Sequence, residues 1–189
     1  LPNQSLWSDV SIDGDGEWIC DGLTRGSLIM VHDGSYNEDL DPDKCSAVYI
    51  VMYRRTKYQM QGTVVDKSER ASNYRAELLG ALCCLLVVKA ACDSGVTKMT
   101  CKAYCVNKEV VLHCTRSKMH KKLKQKQSQD DLVQLCKELL RGMAINIKYR
   151  HVRGHMDDLL KQQQMLLKEE LNVDADELAS LYYTEGPLS

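Results

Sequence analysis

Three carboxylates stand where proteins commonly place chemistry. Asp33 closes an apolar run, Ser27-Leu28-Ile29-Met30-Val31, within His32-Asp33-Gly34-Ser35, where a strand end lets a side chain project. Glu77 falls about one turn into an apolar helical stretch, and Asp176 lies near the start of the last helical segment. A buried acid without a partner is costly. Several acids that converge repel one another unless cations lie between them, and hard cations such as Mg²⁺ take oxygen ligands. Two such ions roughly 4 Å apart can clamp the attacking and leaving oxygens of a phosphoryl displacement. Each acid also has a local role open to it. Asp33 could cap a turn, Glu77 could pair with Arg75 or a lysine at the rim, and Asp176 could serve a helix dipole.

The elements that must position these acids can be read from the apolar pattern. Strands are predicted at Ser27–Val31, Cys45–Tyr53 and Lys57–Val65, closely spaced and therefore antiparallel neighbours. Ser72 fits an N-cap for a helix over Asn73–Cys92, apolar almost all round from Leu78 to Val88 and so buried in mid-domain. A fourth strand over Lys98–Val106 leads into a short helix, Asn107–Cys114. An amphipathic helix over Asp130–Leu140 precedes a fifth strand, Ile145–Arg150. Leu159–Tyr183 reads as helix with a break near Asn172. The order β-β-β-α-β-α-α-β-α is that of an α/β domain with a five-stranded mixed sheet flanked by helices. Residues 1–26, acidic and Gly-rich without sustained periodicity, read as an N-terminal extension or linker; 27–184 form the domain and 185–189 a tail. The chain starts at Leu1, and we read it as cut from a longer polypeptide.

Composition narrows the function. The 25 Lys and Arg against 26 acids announce no globally basic nucleic-acid binder, so any such partner must be held by a local patch. One exists: Arg116, Lys118, Lys121, Lys122, Lys124 and Lys126 fall within eleven residues, together with His120. That run can bind phosphates or be a solvated linker. The longest apolar run, Leu78–Val88, is far short of the roughly 20 residues of a membrane span, so no membrane is expected. The nine cysteines lack C-x-x-C spacing and mostly sit in apolar stretches. Zinc is open to them by type but not by spacing. Free thiols packed as small hydrophobes, in a reducing intracellular compartment (cytoplasm or nucleus), are the expectation.

Taken together, Asp33-Gly34-Ser35 after the first strand, Asn73-Tyr74-Arg75-Ala76-Glu77-Leu78 opening the first long helix, His151 to His155 in the late loop and Asn172-x-x-x-Asp176-Glu177-Leu178-Ala179 in the last helix resemble the type 1 ribonuclease H family. The wording H-V-R-G-H-M-D-D and L-N-V-D-A-D-E-L-A is most similar to the ribonuclease H domain of retrotransposon polyproteins. The resemblance spans about Ser27 to Ala179. It implies a ribonuclease H-like fold and a metal-dependent endonuclease that cuts the RNA strand of RNA–DNA hybrids. It also implies a place in a larger polyprotein beside a reverse transcriptase. By the same resemblance, Asp33 bridges two Mg²⁺ ions (Mn²⁺ substituting), Glu77 ligates one, Asp176 holds the ion that activates water, and His155 helps product leave. Gly34, Ser35, Asn73 and Asn107 would contact the hybrid, reading 2′-hydroxyls in its shallow minor groove. Lys121, Lys122 and Lys124 would hold its phosphates.

The sequence departs from the family at one place. The family's fourth strand ends in an acid followed by Asn or Ser, in retroelements often C-D-N-K, whereas here it reads Cys105-Val106-Asn107-Lys108. Valine offers no lone pair, so one ion would lose a protein ligand, and water could fill the gap at lower affinity. Neighbouring Tyr104 and Cys105 are not usual Mg²⁺ ligands, and Glu109 would need a different approach. Two functions therefore stand side by side: an endonuclease weakened by Val106, and a catalytically inactive nucleic-acid-binding or tethering module. Integrase- or transposase-type nucleases place their glutamate on a late helix and fit Glu77 poorly.

Overall fold

The computed structural model describes residues 9–96, 100–105, 107–115, 130–143, 146–152 and 167–185. In chain order the elements are β1 (Asp9–Ile12), α1 (Glu17–Thr24), β2 (Leu28–Tyr36), β3 (Lys44–Tyr53), β4 (Gln59–Lys67), α2 (Asn73–Asp93), β5 (Thr100–Cys105), α3 (Lys108–Thr115), α4 (Asp130–Gly142), β6 (Asn146–His151) and α5 (Leu167–Glu185). The strands form one mixed sheet in the order β1-β4-β3-β2-β5-β6. β2, β3 and β4 are antiparallel neighbours, while β5 runs parallel to β2 and β6 parallel to β5.

Both faces of the sheet are covered, which is why β2 and β3 read as almost unbroken apolar runs. Leu28 and Met30 of β2 join one core cluster with α2, including Leu78, Leu82 and Leu85. Ile29 and Val31 point the other way and join a second cluster with Leu171, Ala175 and Ala179 of α5. α2 is buried on most of its circumference, and its first turn is fixed by the Ser72 side chain, which accepts the Arg75 N–H at 3.1 Å. No helix among the described residues is long and apolar enough to cross a membrane.

The sheet has six strands, not the expected five. The additional one, β1, lies within the stretch read as an extension and pairs antiparallel with β4, Asp9 opposite Thr63. α1 follows it and places Trp18, Ile19 and Leu23 in the larger core cluster. Four- and eight-residue elements are too short to show a period. α1 also starts without a side-chain cap, at Gly16 in the left-handed region (φ 82°).

Two other expectations are corrected. β2 does not stop at His32 but runs on to Tyr36, because Gly34 and Ser35 keep pairing with Ala47 and Ser46 of β3. α5 runs unbroken through Asn172, which is buried beside Leu171. The apolar contacts of Leu171, Ala175 and Ala179 outweigh the small helix penalty of one asparagine.

Candidate active site

Among the described residues β2 is flanked on both sides as far as His32, which pairs with Cys105 at the end of β5. That is the last pair of the two strands among the described residues, and the next residue of β2 is Asp33. Strand alternation turns Asp33 to the same face as Val31, towards α5, and turns His32 and Gly34 towards α2. Gly34 lets the two elements touch: a Cβ there would lie 2.6 Å from the Ala76 backbone and Cβ and from the Glu77 nitrogen. That close approach sets the first turn of α2, and with it Glu77, against β2. Arg75, on the same turn, is itself buried and fixes the helix from behind. It contacts Asp66 of β4 and, through two 3.1 Å bonds, Asp131 of α4.

Asp33 and Glu77 are each 6% exposed and hydrogen-bond each other through their side chains. Asp33 also accepts the Gly34 N–H at 2.9 Å. Burial is the largest influence on both carboxyls. It pushes Asp33 up to about 8, with the charges of Glu77 and Asp176 adding to the effect. It pushes Glu77 up to about 7, and Asp176 again adds. A pair of this kind holds a proton near neutral pH unless a cation replaces it. The structure thus brings together Asp33, Glu77 and Asp176, from β2, α2 and α5. All their donor atoms are carboxylate oxygens, the set that suits a hard divalent cation.

The other expected site residues divide by location. Ser35 is half-buried on β2 beyond Asp33, and Asn73 is exposed at the start of α2. Asn107 acts locally, where its side-chain oxygen accepts the Val110 N–H at 3.2 Å and caps α3. His155, Lys121, Lys122, Lys124 and Val106 lie outside the described residues.

Two neighbours of Glu77 went unread in the sequence. His32 is fully buried, and its Nδ1 lies 3.6 Å from Glu77 Oε2. Burial holds the imidazole near 4, hence neutral, so this is a contact and not an ion pair. Cys105 donates to the same Oε2 at 3.5 Å. The available signal was the alternation of β2, which turns a lone histidine towards an apolar helix. A histidine there would have to find a partner from α2 or β5.

Comparison with known proteins identifies the family. The RNase H family model matches residues 25–182. Among solved structures, RNase H1 of the halophilic archaeon Halobacterium salinarum NRC-1 shares 16% identity at a TM-score of 0.56, covering 82% of this chain and 96% of that one. LC11-RNase H1, solved in complex with an RNA/DNA hybrid, shares 15% identity at a TM-score of 0.52, covering 81% of this chain and 94% of that one. The protease-reverse transcriptase of prototype foamy virus shares 16% identity at a TM-score of 0.57, covering 88% of this chain but 21% of that one. No curated protein matches the sequence. With three carboxylates gathered at the Asp33 end of β2, and a family match over most of its length, the chain belongs to the RNase H family.

Proposed function

We propose that the chain is a metal-dependent endonuclease of retroelement origin that cuts the RNA strand of RNA–DNA hybrids, its activity weakened by Val106. The observation that carries this reading is the convergence of Asp33, Glu77 and Asp176 from three elements distant in sequence. Two buried carboxyls in contact are unfavourable as a pair of charges, and that cost is relieved by a divalent cation. Mg²⁺ held by Asp33, Glu77 and Asp176, or Mn²⁺ in its place, would activate water for in-line attack on the phosphodiester and neutralise charge on the leaving oxygen.

The chain's own residues supply position and selectivity. Gly34 and Arg75 hold Glu77 beside Asp33. Gly34, Ser35 and Asn73 face the minor groove of the hybrid and test for 2′-hydroxyls, with Asn107 beside them. Lys121, Lys122 and Lys124 grip phosphates, and His155 assists product release. LC11-RNase H1 was solved with an RNA/DNA hybrid, and the foamy virus relative is a reverse transcriptase. The first supports a hybrid substrate and the second a polyprotein setting.

Val106 favours a second reading, a module that binds hybrids without cutting them. End-labelled hybrids incubated with the protein in Mg²⁺ and in Mn²⁺ separate the two. Metal-dependent fragments of the RNA strand alone, ending in 5′-phosphates, are expected, with Mn²⁺ more effective than Mg²⁺. Binding without fragments in either metal would establish the inactive module.

A further inference from the structure

At Glu77 three buried side chains of different chemistry meet, its own and those of His32 and Cys105. One ligand atom each from His32, Glu77 and Cys105 lies within 4.8 Å of the others. The two distances to the shared Oε2 are 3.6 Å from His32 Nδ1 and 3.5 Å from Cys105 Sγ. Ordinary zinc bond lengths of about 2.0 Å to nitrogen or oxygen and 2.3 Å to sulfur give tetrahedral edges of about 3.3–3.5 Å. The two edges that meet at Glu77 Oε2 are therefore close to those of a zinc site.

The surroundings point the same way. Among the described residues neither ring nitrogen of His32 has a hydrogen-bond partner, although the side chain is fully buried. An unsatisfied buried imidazole is costly, and a cation on Nδ1 removes part of that cost. The ring is held in place by its neighbours. It meets the Tyr149 ring edge-on at 6.2 Å. It also occupies space left by Gly80, where a Cβ would come within 3.1 Å of Nδ1. Cys105 Sγ accepts the Asn107 N–H at 3.2 Å, an outer contact that favours a metal-bound thiolate. A mixed set of imidazole, carboxylate and thiolate suits Zn²⁺ and not Mg²⁺, which wants oxygen.

We propose that His32, Glu77 and Cys105 form a Zn²⁺-binding site adjoining the carboxylate cluster, with one coordination position left for water. Binding replaces the thiol proton of Cys105, which passes to solvent. Because Glu77 serves both groups, zinc bound here withdraws it from Asp33 and Asp176 and inhibits cleavage. That consequence rests on the nuclease reading above, whereas the binding itself does not.

Cobalt substitution reads the site directly. Co²⁺ added to the intact chain should bind one-to-one and give a thiolate-to-cobalt charge-transfer band. The band should vanish in Cys105→Ser, its affinity should fall at least tenfold in His32→Gln, and Cys20→Ser should retain it. X-ray absorption of the zinc-loaded parent needs no variant. It should find one sulfur at about 2.3 Å among nitrogen and oxygen neighbours at about 2.0 Å. A zinc shell without sulfur, or a band undiminished in Cys105→Ser, would overturn the site. In a cleavage assay, Cys105→Ser should tolerate at least ten times more zinc than the parent. A sulfur-containing zinc shell in a protein that cuts no hybrid upholds the site and removes only the nuclease reading.

Discussion

At position 106 the chain carries valine where its family resemblance calls for an acid, and the consequence is a matter of single ligand atoms. In the proposed site Asp33, Glu77 and Asp176 would supply the remaining carboxylates. Val106→Asp should raise hybrid cleavage at least about tenfold, equivalent to roughly 1.4 kcal/mol of barrier. It should also reduce the Mn²⁺ preference. The added charge repels its neighbours, so this variant should melt below the parent without metal and recover when Mg²⁺ is added. If neither rate nor metal-dependent melting changes, the alignment around Val106 fails. Asp33 was legible at the end of an apolar run and Glu77 one turn into an apolar helix, whereas Asp176 lies in the middle of α5 and not near a helix start as its sequence context suggested. His32 and Cys105 were not legible, since their meeting at Glu77 depends on the register of β2 with β5, His32 opposite Cys105. Such a register cannot be read from either strand alone.

Among the elements, the contact between β2 and α2 decides whether the acids meet. Gly34 permits it, for a Cβ there would come within 2.6 Å of Ala76 and of the Glu77 nitrogen. Gly34→Ala should therefore push the first turn of α2 away from the strand. A stability loss of about 1–3 kcal/mol in chemical denaturation is expected from such overpacking. Mg²⁺ affinity should weaken with it, because Glu77 rides on the displaced turn. Unchanged stability and unchanged Mg²⁺ binding would show that Gly34 has no such role. The long elements were readable from composition: α2 by its near-continuous apolar circumference, β3 by its β-branched and aromatic run. β1 and α1 escaped because their stability comes from partners elsewhere in the chain. β1 is held by pairing with β4, and α1 by Trp18, Ile19 and Leu23 in the core.

Over the whole molecule, proton uptake and charge should follow from the same arrangement. Asp33 and Glu77 titrate higher folded than unfolded, so between about pH 4 and 8 the folded chain binds more protons. Stability without metal should fall as pH rises through that window, by up to about 1.4 kcal/mol per unit for each group. His32, held near 4, opposes this below its ordinary 6.5, and Glu77 ceases to contribute above about 7, so the fall should be steepest between about 6.5 and 7. Melting curves should show it, with Mg²⁺ restoring stability at pH 8 more than at pH 5. A flat profile insensitive to Mg²⁺ would mean the carboxyls are not coupled. Charge in the basic run should govern binding: neutralising Lys121, Lys122 and Lys124 should weaken hybrid affinity similarly across sequences and flatten its salt dependence. The claim that joins these scales is that Asp33 lies at the centre of a metal-dependent hybrid nuclease, and one comparison tests it most directly. Cleavage of the RNA strand of a labelled hybrid is measured in saturating Mn²⁺ for the Val106→Asp protein, with and without the further change Asp33→Asn. The expected result is cutting by the first and at least a hundredfold loss in the second, with hybrid binding retained. Cutting that survives Asp33→Asn undiminished, or no cutting by either protein, would contradict it.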